Sequence, residues 1–268
     1  MKYFNVNLEF DHSVLEKTVL EVANSSKGYC CFVDLTSLVH SYNNPDFREV
    51  LNASLVNSCD GSYIAMTASK IYKKNLIQYI GPDFFEKFLY KKGSHLILGS
   101  TEEVYEKIVH RLTRNGSNDS NISYLSVPFK DVNEFDYDQI ASVINKREPN
   151  YIWVSLGAPK QEIFMNKLFP HIDKGVLLGV GAALNYFSGT IKEIPEWTKK
   201  MHVVWVYRLL TEPKKTNKKI EDNIFDLPKN DQRRKKKSKK RKFIINSKRY
   251  DFNYWNYRLR RSKPKKLY

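Results

Sequence analysis

Short apolar runs alternate with amphipathic segments along the first 200 residues, and this alternation restricts the fold more than any other feature. The runs have the length of buried strands, and the segments between them repeat apolar residues at helical spacing. Because strand and helix follow one another, the sequence predicts a mostly parallel sheet with helices on both faces. The predicted strands are Tyr29–Asp34, His95–Gly99, Ile122–Val127, Tyr151–Gly157 and Gly175–Gly181. The predicted helices lie near 61–72, 82–91, 101–115, 136–147 and 159–169.

The N-terminal residues have the alternation of a strand. Apolar and polar residues alternate from Tyr3 to Phe10, which predicts a further strand. Asp11 or Ser13 can then cap an amphipathic helix that begins near Val14. With 41% hydrophobic residues among 268, the chain can bury the core of an α/β domain without disulfide bonds.

Polar residues and glycines directly follow several predicted strands. In a Rossmann-like parallel sheet, ligands bind outside the carboxyl ends of the strands. Asp34, Gly99, Gly157 and the segment Gly179–Gly181 fall at such ends. We therefore expect the functional site at this edge of the sheet.

The turn in YIWVSLGAPKQEIFMNKLFP, residues Tyr151–Pro170, has the composition of an anion site. Gly157 allows a close turn and Pro159 suits the first turn of a helix, so backbone N–H groups and Lys160 would face a ligand. Such a turn suits a phosphate or an oxyanion. An ordinary strand-to-helix turn with surface Lys and Gln fits the same spacing equally well.

A second glycine-rich stretch, LLGVGAALNYFSG, begins within the last predicted strand. Gly179 and Gly181 would let a nucleotide approach the backbone, as in dinucleotide or S-adenosylmethionine sites. The third glycine of the dinucleotide fingerprint is missing, however. Close packing of the strand against a helix explains the pattern at least as well.

Asp60 is the carboxylate best placed for proton abstraction. It follows a short apolar segment and precedes Gly61, which would expose it at a strand end, although an Asp-Gly pair is more often a simple turn. Asp136 and Asp138 form an Asp-x-Asp pattern of the kind that holds divalent metals. They precede a helix, so helix capping is the better interpretation. The six histidines show no paired ligand spacing, and we predict no metal.

The net charge of +16 is confined to the C-terminal fifth of the chain. Residues 1–213 contain 23 Lys and Arg against 24 Asp and Glu, whereas residues 214–268 contain 22 against 5. The segment Arg233–Lys242 has nine basic residues in ten, which predicts a flexible tail that binds an anionic surface. The three cysteines fit neither a metal site nor a disulfide framework, and no signal peptide or spanning run is recognisable. These features predict a cytoplasmic protein with peripheral membrane contact.

Seven short motifs occur in order along residues 1–215. They are CDG at Cys59, YIGPDFF at Tyr79, LILGS at Leu96, VSLGAPKQE at Val154, GVGAALNYFSG at Gly179, IPEWTKK at Ile194 and WVYRLLTEPKK at Trp205. Together they resemble the WecG/TagA/CpsF family of bacterial glycosyltransferases. The most specific pieces are the Gly-Ala-Pro-Lys-Gln-Glu block and the Trp-x-Tyr-Arg-Leu-x-x-Glu-Pro segment.

The resemblance implies transfer of an N-acetylhexosamine-type sugar, often N-acetylmannosamine, from a UDP donor to an undecaprenyl-diphosphate-linked acceptor. Such a step belongs to teichoic acid, common-antigen or capsule assembly. It implies a catalytic core at 1–200, a C-terminal helix at 201–215 that completes the site, and a membrane-associating tail at 216–268. We expect no cofactor.

At matching positions the resemblance implies three groups of site residues. The catalytic group is Asp60, as general base, and Gln161, which would orient a sugar hydroxyl. The donor-binding group is Gly99, Gly157, Lys160, Gly179, Gly181 and Asn185. The acceptor or diphosphate group is Asp34, Asp83 and Arg208.

Some positions depart from the family pattern. Family members usually carry Thr-x-Asn, Arg, Asp and Glu at the positions where this chain has Phe32-Val33-Asp34, Gln78, Asn185 and Val204. The identity of the donor sugar therefore stays open.

Two other function classes stay open as well. The tail segment RYDFNYWNYRLRR interleaves aromatic residues with Arg and resembles a nucleic-acid-binding surface. The near-neutral charge of residues 1–213 argues against a nucleic-acid-binding protein. The Gly-x-Gly strand end would also suit a nucleotide-dependent dehydrogenase or methyltransferase.

Truncation after Lys215 tests the predicted role of the tail. We expect the full chain to float with anionic vesicles at low salt and to lose this binding at high salt or on neutral vesicles. Each basic residue near an anionic membrane contributes about 1 kcal/mol to binding. The truncated chain should not float under any of these conditions. Equal flotation of the two proteins, or binding that ignores lipid charge and salt, would contradict the prediction.

Overall fold

The computed structural model describes residues 1–117, 121–192, 195 and 197–198, and strands and helices alternate along them. The described strands are β1 Lys2–Tyr3, β2 Val6–Asn7, β3 Lys27–Val33, β4 Val56–Cys59, β5 His95–Gly99, β6 Ile122–Leu125, β7 Tyr151–Ser155 and β8 Gly175–Gly179. The described helices are α1 His12–Ser25, α2 Leu35–Asn43, α3 Pro45–Asn52, α4 Ser62–Tyr72, α5 Gly81–Leu89, α6 Glu102–Arg114, α7 Tyr137–Arg147, α8 Lys160–Leu168 and α9 Ala183–Phe187. A short 3-10 helix, Phe169–His171, follows α8.

The predictions for the C-terminal segment fall outside the described residues. The helix at 201–215 with Arg208, and the basic tail at 216–268, therefore stay predictions, as do the domain boundaries. Within the described part of the chain, no helix is both long and apolar enough to cross a bilayer.

Six parallel strands form the central sheet in the order β4-β3-β8-β7-β5-β6. The register pairs Val33 of β3 with Cys59 of β4, and Cys31 of β3 with Gly179 of β8. The carboxyl ends of these strands therefore lie at one edge of the sheet. The predicted parallel, Rossmann-like sheet is confirmed.

Two hydrophobic layers cover the two faces of this sheet. One layer joins α2, α3, α4, α7 and α8 to strand residues such as Cys31 and Val154. The other joins α1, α5, α6 and α9 to strand residues such as Cys30, Trp153 and Leu178. Neighbouring residues in a strand point to opposite faces, so each central strand contributes to both layers. The predicted placement of helices on both faces is therefore confirmed.

Trp153 is fully buried in the second layer. Its indole N–H donates a hydrogen bond to His95. Trp153 Nε1 donates to His95 Nδ1 at 3.2 Å, so the proton of the His95 ring is on Nε2, which donates to the carbonyl oxygen of Lys91 at 3.1 Å. Burial lowers the pKa of His95, which keeps the ring neutral and preserves this tautomer. Phe85 meets Trp153 edge-on with 4.9 Å between ring centroids, and this contact holds α5 on the sheet.

The prediction of one strand from Tyr3 to Phe10 is wrong. The chain turns at Phe4 and Asn5, which have positive φ angles of 49° and 65°, and β1 pairs antiparallel with β2. The alternation remains because Tyr3, Val6 and Leu8 are buried on one side. The following helix is capped by Asp11, whose carboxylate accepts from the backbone N–H of Ser13 at 2.8 Å, so the first of the two cap candidates is confirmed.

The structure adds two helices that the sequence patterns did not reveal between Asp34 and Asp60. Asn44 ends α2 and caps α3, because its side chain accepts from the backbone N–H of Phe47 at 3.1 Å. These helices lead into β4, which lies at the edge of the sheet beside β3. Asp60 therefore follows a true strand, as the hypothesis of a catalytic base requires.

Gly175 at the start of β8 tests how closely the strand ends pack. Its φ is +95°, and a side-chain carbon there would lie 2.3 Å from the carbonyl oxygen of Pro149. We expect Gly175→Ala to lower the free energy of unfolding by more than about 2 kcal/mol, measured by chemical denaturation. Gly116→Ala is the matched control, because Gly116 also has a positive φ, +74°, but no other described residue, its chain neighbours aside, has an atom within 4 Å of that carbon. Gly116→Ala should lower the free energy of unfolding by about 1 kcal/mol. An equal loss in the two variants would show that the backbone at Pro149 moves to accept the new side chain.

Candidate active site

The ends of β4, β3 and β8 bring polar groups together at the carboxyl edge of the sheet. Asp60 follows β4, Asp34 follows β3, and the segment Gly179–Gly181 ends β8. The backbone N–H of Asp60 donates to the carbonyl oxygen of Val33 at 3.0 Å, which continues the ladder beyond the strands. These strand ends are neighbours in the sheet, so Asp60, Asp34 and the segment Gly179–Gly181 lie at the same edge.

Successive helices leave this edge of the sheet on opposite faces, and such a divergence forms a crevice at the strand ends of open parallel sheets. The helix after β3, α2, lies in the first hydrophobic layer, whereas α9, which follows β8, lies in the second. The same divergence separates α8, after β7, from α6, after β5. Ligands of open parallel sheets bind at such points, and the site predicted at this edge stays a prediction.

The carboxylate of Asp60 is half-buried and has a fixed contact with the start of α5. Its Oδ1 accepts from the backbone N–H of Gly81 at 3.3 Å. A side-chain carbon on Gly81 would lie 3.3 Å from the carbonyl oxygen of Val180, so the start of α5 fits between Asp60 and the end of β8. This position suits a general base that must face the crevice and keep its orientation.

Asp34 acts as the cap of α2. One of its carboxylate oxygens, Oδ1, accepts from the backbone N–H of Ser37 at 2.8 Å, and the residue is half-buried. This contact is a structural role that the sequence prediction did not include. The predicted contact with acceptor or diphosphate stays a prediction.

Gln161 and Glu162 form a buried polar pair at the start of α8, 4% and 1% exposed. Gln161 Nε2 donates to the carbonyl oxygen of Gly179 at 2.9 Å and to Glu162 Oε1 at 3.0 Å. Gln161 Oε1 accepts no hydrogen bond from the described residues. The Glu162 carboxylate also lies close to Cys31, where its charge adds to burial in raising the pKa of the thiol. The pair links α8 to the end of β8.

The predicted donor-binding glycines are spread over three strand ends. Gly179 and Gly181 lie beside Gln161, Gly157 lies in the turn after β7, and Gly99 ends β5. At Gly179 a side-chain carbon would lie 2.5 Å from the terminal methyl group of Met165. Close packing therefore accounts for Gly179, as one of the two interpretations proposed, and the donor-binding roles of all four stay predictions.

Lys160 contacts the segment between β6 and α7. Its ammonium group lies 5.0 Å and 5.1 Å from the ring centroids of Phe129 and Phe135 and donates to the carbonyl oxygen of Lys130. Cation–π contacts of this kind hold a lysine in place. A contact between Lys160 and a donor diphosphate would replace these contacts.

The remaining predicted residues lie around the same edge or outside the described chain. Asp83 is exposed in the first turn of α5, two residues after Gly81. Asn185 is half-buried in α9, the helix after β8. Arg208 lies outside the described residues, so its place in the site is a prediction.

The two carboxylates of the Asp-x-Asp pattern have other roles. Asp136 caps α7 by accepting from the backbone N–H of Gln139 at 2.9 Å, which confirms helix capping. Asp138 contacts His171 Nδ1 at 2.7 Å. Among the described residues, no group of three or more His, Cys, Asp or Glu side chains is arranged to hold a metal ion.

Residues 3–236 match the model of the Glycosyl transferase WecG/TagA/CpsF family. The chain belongs to this family. It is 29% identical over 174 residues to the N-acetylglucosaminyldiphosphoundecaprenol N-acetyl-beta-D-mannosaminyltransferase of Bacillus spizizenii, over 63% of this chain and 66% of the relative. It is 26% identical over 172 residues to the protein of the same name in Bacillus subtilis, over 63% of this chain and 65% of the relative. The chain thus spans slightly less than two thirds of the length of these relatives.

Membership in the WecG/TagA/CpsF family confirms the resemblance inferred from the motifs. The sequence patterns do not identify one neighbour of the site, Gly81, which contacts Asp60. Glu162, which contacts Gln161, matches the family block, but the sequence assigns it no role. Both occur inside family motifs, and that was the available signal. Their contacts join segments distant in sequence or depend on burial of a charged side chain, which composition does not reveal.

Proposed function

We propose that this chain is an inverting glycosyltransferase that moves an N-acetylhexosamine-type sugar from a UDP donor to a polyprenyl-diphosphate-linked acceptor. The observation that carries the proposal is the half-buried Asp60 carboxylate at the strand-end crevice of a family member. Two relatives are named for an N-acetyl-beta-D-mannosaminyl group and for N-acetylglucosaminyldiphosphoundecaprenol, which supports this class of sugar and acceptor.

Asp60 acts as general base in a single displacement. It removes the proton from the attacking acceptor hydroxyl while that oxygen forms a bond to the anomeric carbon. The bond between the anomeric carbon and the UDP oxygen breaks, and its electron pair leaves with UDP. One displacement inverts the anomeric configuration. A general base typically contributes about 10² to 10⁴-fold to the rate.

The leaving UDP needs positive charge or aligned N–H dipoles. The turn at Gly157 supplies backbone N–H groups at the start of α8, and Lys160 would join them after leaving Phe129 and Phe135. Arg208, which lies outside the described residues, is the further candidate. We expect no metal in this step.

The acceptor lipid requires the enzyme to work at a membrane surface. The basic tail at 216–268 would hold a nearly neutral core against the anionic inner face of the cell membrane. The reaction would then belong to cell-surface polysaccharide or teichoic acid biosynthesis. A cytoplasmic, peripheral location follows from this proposal.

Asp60→Asn tests the assignment of the base. We expect transfer of sugar to fall by at least about 10²-fold while the fold and the affinity for UDP are retained, because the amide cannot take the proton. Asp173→Asn is the matched control, since Asp173 is exposed and precedes β8 at the opposite edge of the sheet. Transfer by Asp60→Asn at the parent rate would identify Asp60 as a turn residue only. Asp34 and Asp83 would be the next candidates.

EDTA tests the expectation that no metal takes part. The parent enzyme should transfer sugar at the same rate with and without the chelator. A complete loss that Mn²⁺ restores would show that a metal takes part and would return Asp136 and Asp138 to consideration.

Ligand-induced thermal shift separates the proposed function from its alternatives. UDP or a UDP-sugar should raise the melting temperature, because a ligand that binds only the native state stabilises it by mass action. NAD and S-adenosylmethionine should not. A shift with NAD but none with saturating UDP would contradict the glycosyltransferase proposal. A stabilising shift with single-stranded RNA alone would favour the nucleic-acid-binding alternative.

A further inference from the structure

The side-chain amide of Gln161 is held in one orientation. Its Nε2 contacts two groups that can only accept hydrogen bonds, the carbonyl oxygen of Gly179 and the carboxylate oxygen of Glu162. The atom between them must therefore be the NH₂ group, and Oε1 must point the other way. A side-chain carbon on Gly181 would lie 3.6 Å from Oε1, so this oxygen faces the last turn of the β8 segment.

In this orientation the buried oxygen Gln161 Oε1 receives no hydrogen bond from the described residues. Gln161 is 4% exposed, and no described residue donates to its Oε1. A buried polar atom without a partner costs free energy, so a ligand that brings an O–H or N–H to this atom gains affinity. A phosphate oxygen would be repelled, because it is also an acceptor. The end of β8 therefore suits a hydroxyl or an amide rather than the diphosphate.

The distance between Gln161 and Asp60 indicates that the hydrogen-bond donor for Gln161 Oε1 belongs to the sugar. Asp60 follows β4 and Gln161 contacts the end of β8, and β3 lies between these two strands. Two strand spacings separate them by about 10 Å. A sugar ring fits in this space with a hydrogen bond to Gln161 on one side and the attacking hydroxyl near Asp60 on the other.

Glu162 determines which atom of the Gln161 amide faces this space. The carbonyl oxygen of Gly179 can occupy only one of the two N–H bonds of the amide. Glu162 occupies the second with a charge-assisted hydrogen bond, which makes the reversed amide unfavourable. Burial of a carboxylate that is 1% exposed is costly for a purely structural residue.

We infer that Glu162 is a positioning residue that fixes the Gln161 amide so that Oε1 accepts a hydrogen bond from a hydroxyl or N–H group of the transferred sugar. The inference rests on the proposed function and names the group that recognises the sugar part of the donor. It predicts that loss of the Glu162 contact weakens binding of a UDP-sugar but leaves binding of UDP unchanged.

Two conservative variants of Glu162 separate the effect of its side-chain length from the effect of its charge. Glu162→Asp keeps the charge but draws the carboxylate back by one carbon, out of reach of Gln161. Glu162→Gln keeps the reach, and its carbonyl oxygen can still accept from Gln161 Nε2. The Kd values for UDP and for UDP-N-acetylmannosamine are measured by calorimetry on the full chain. Asn166→Ala, on the same helix with a contact to the Tyr29 hydroxyl, is the control.

We expect Glu162→Asp to bind the UDP-sugar about tenfold more weakly than the parent while its Kd for UDP stays within about twofold. Glu162→Gln should remain within about threefold of the parent for both ligands, and Asn166→Ala should match the parent. Equal binding of the UDP-sugar by Glu162→Asp and parent would overturn the inference. Equal weakening for UDP and UDP-sugar would overturn it too, because that result indicates a general structural role.

If Glu162→Asp does not fold, the same Kd values are measured for Gln161→Met instead. It removes Oε1 and should weaken the UDP-sugar about tenfold without changing the Kd for UDP. An unchanged Kd for the UDP-sugar in this variant would overturn the inference. Failure of the parent to bind either ligand would overturn the proposed function and the inference with it, whereas failure of the variants alone to show the difference leaves the proposed function in place.

Discussion

The parallel pairing of β3 with β4 on one side and β8 on the other is the interaction on which the candidate site depends. Its register brings Val33 beside Cys59 and Cys31 beside Gly179, so the three strands end together. A slip of one residue would exchange the residues that β3 contributes to the two layers and would move every following polar group. The spacing of Asp60, Asp34 and Gln161 is therefore a property of the sheet rather than of flexible loops.

The polar pair at the start of α8 shows how a stable core and a functional site share one helix. The helix α8 is packed against the sheet by its buried apolar side chains, Phe164, Met165 and Leu168. This packing also restricts the motion of Gln161 and Glu162, which are buried in the same helix. The buried carboxylate lowers stability, and so does the amide oxygen to which no described residue donates. A site that must select one ligand orientation benefits from such rigid groups, because little ordering remains when the ligand binds. If Gln161 recognises the sugar as inferred above, the cost in stability and the gain in recognition arise from the same contacts.

The long buried strands and their following helices could be predicted because apolar runs and capping residues are local signals. Tyr151–Ser155 and α8 follow such a pattern, and so does the cap of α7 at Asp136. The short strand β4 contains Asn57 and Ser58, whose burial depends on β3 and on the segment around Tyr79, so its sequence is a weak signal. The direction of Lys160 depends on aromatic rings about thirty residues away, and no local pattern contains that information.

The charges around the crevice limit where a diphosphate can bind. Asp34, Asp60 and Glu162 place three carboxyl groups near the ends of β3, β4 and β8, and the acceptor oxygen of Gln161 adds a partial negative charge. A diphosphate near these groups requires compensating positive charge. Lys160 in this structure contacts two aromatic rings instead. We therefore expect the positive charge to come from a reorientation of Lys160 or from the C-terminal residues that include Arg208.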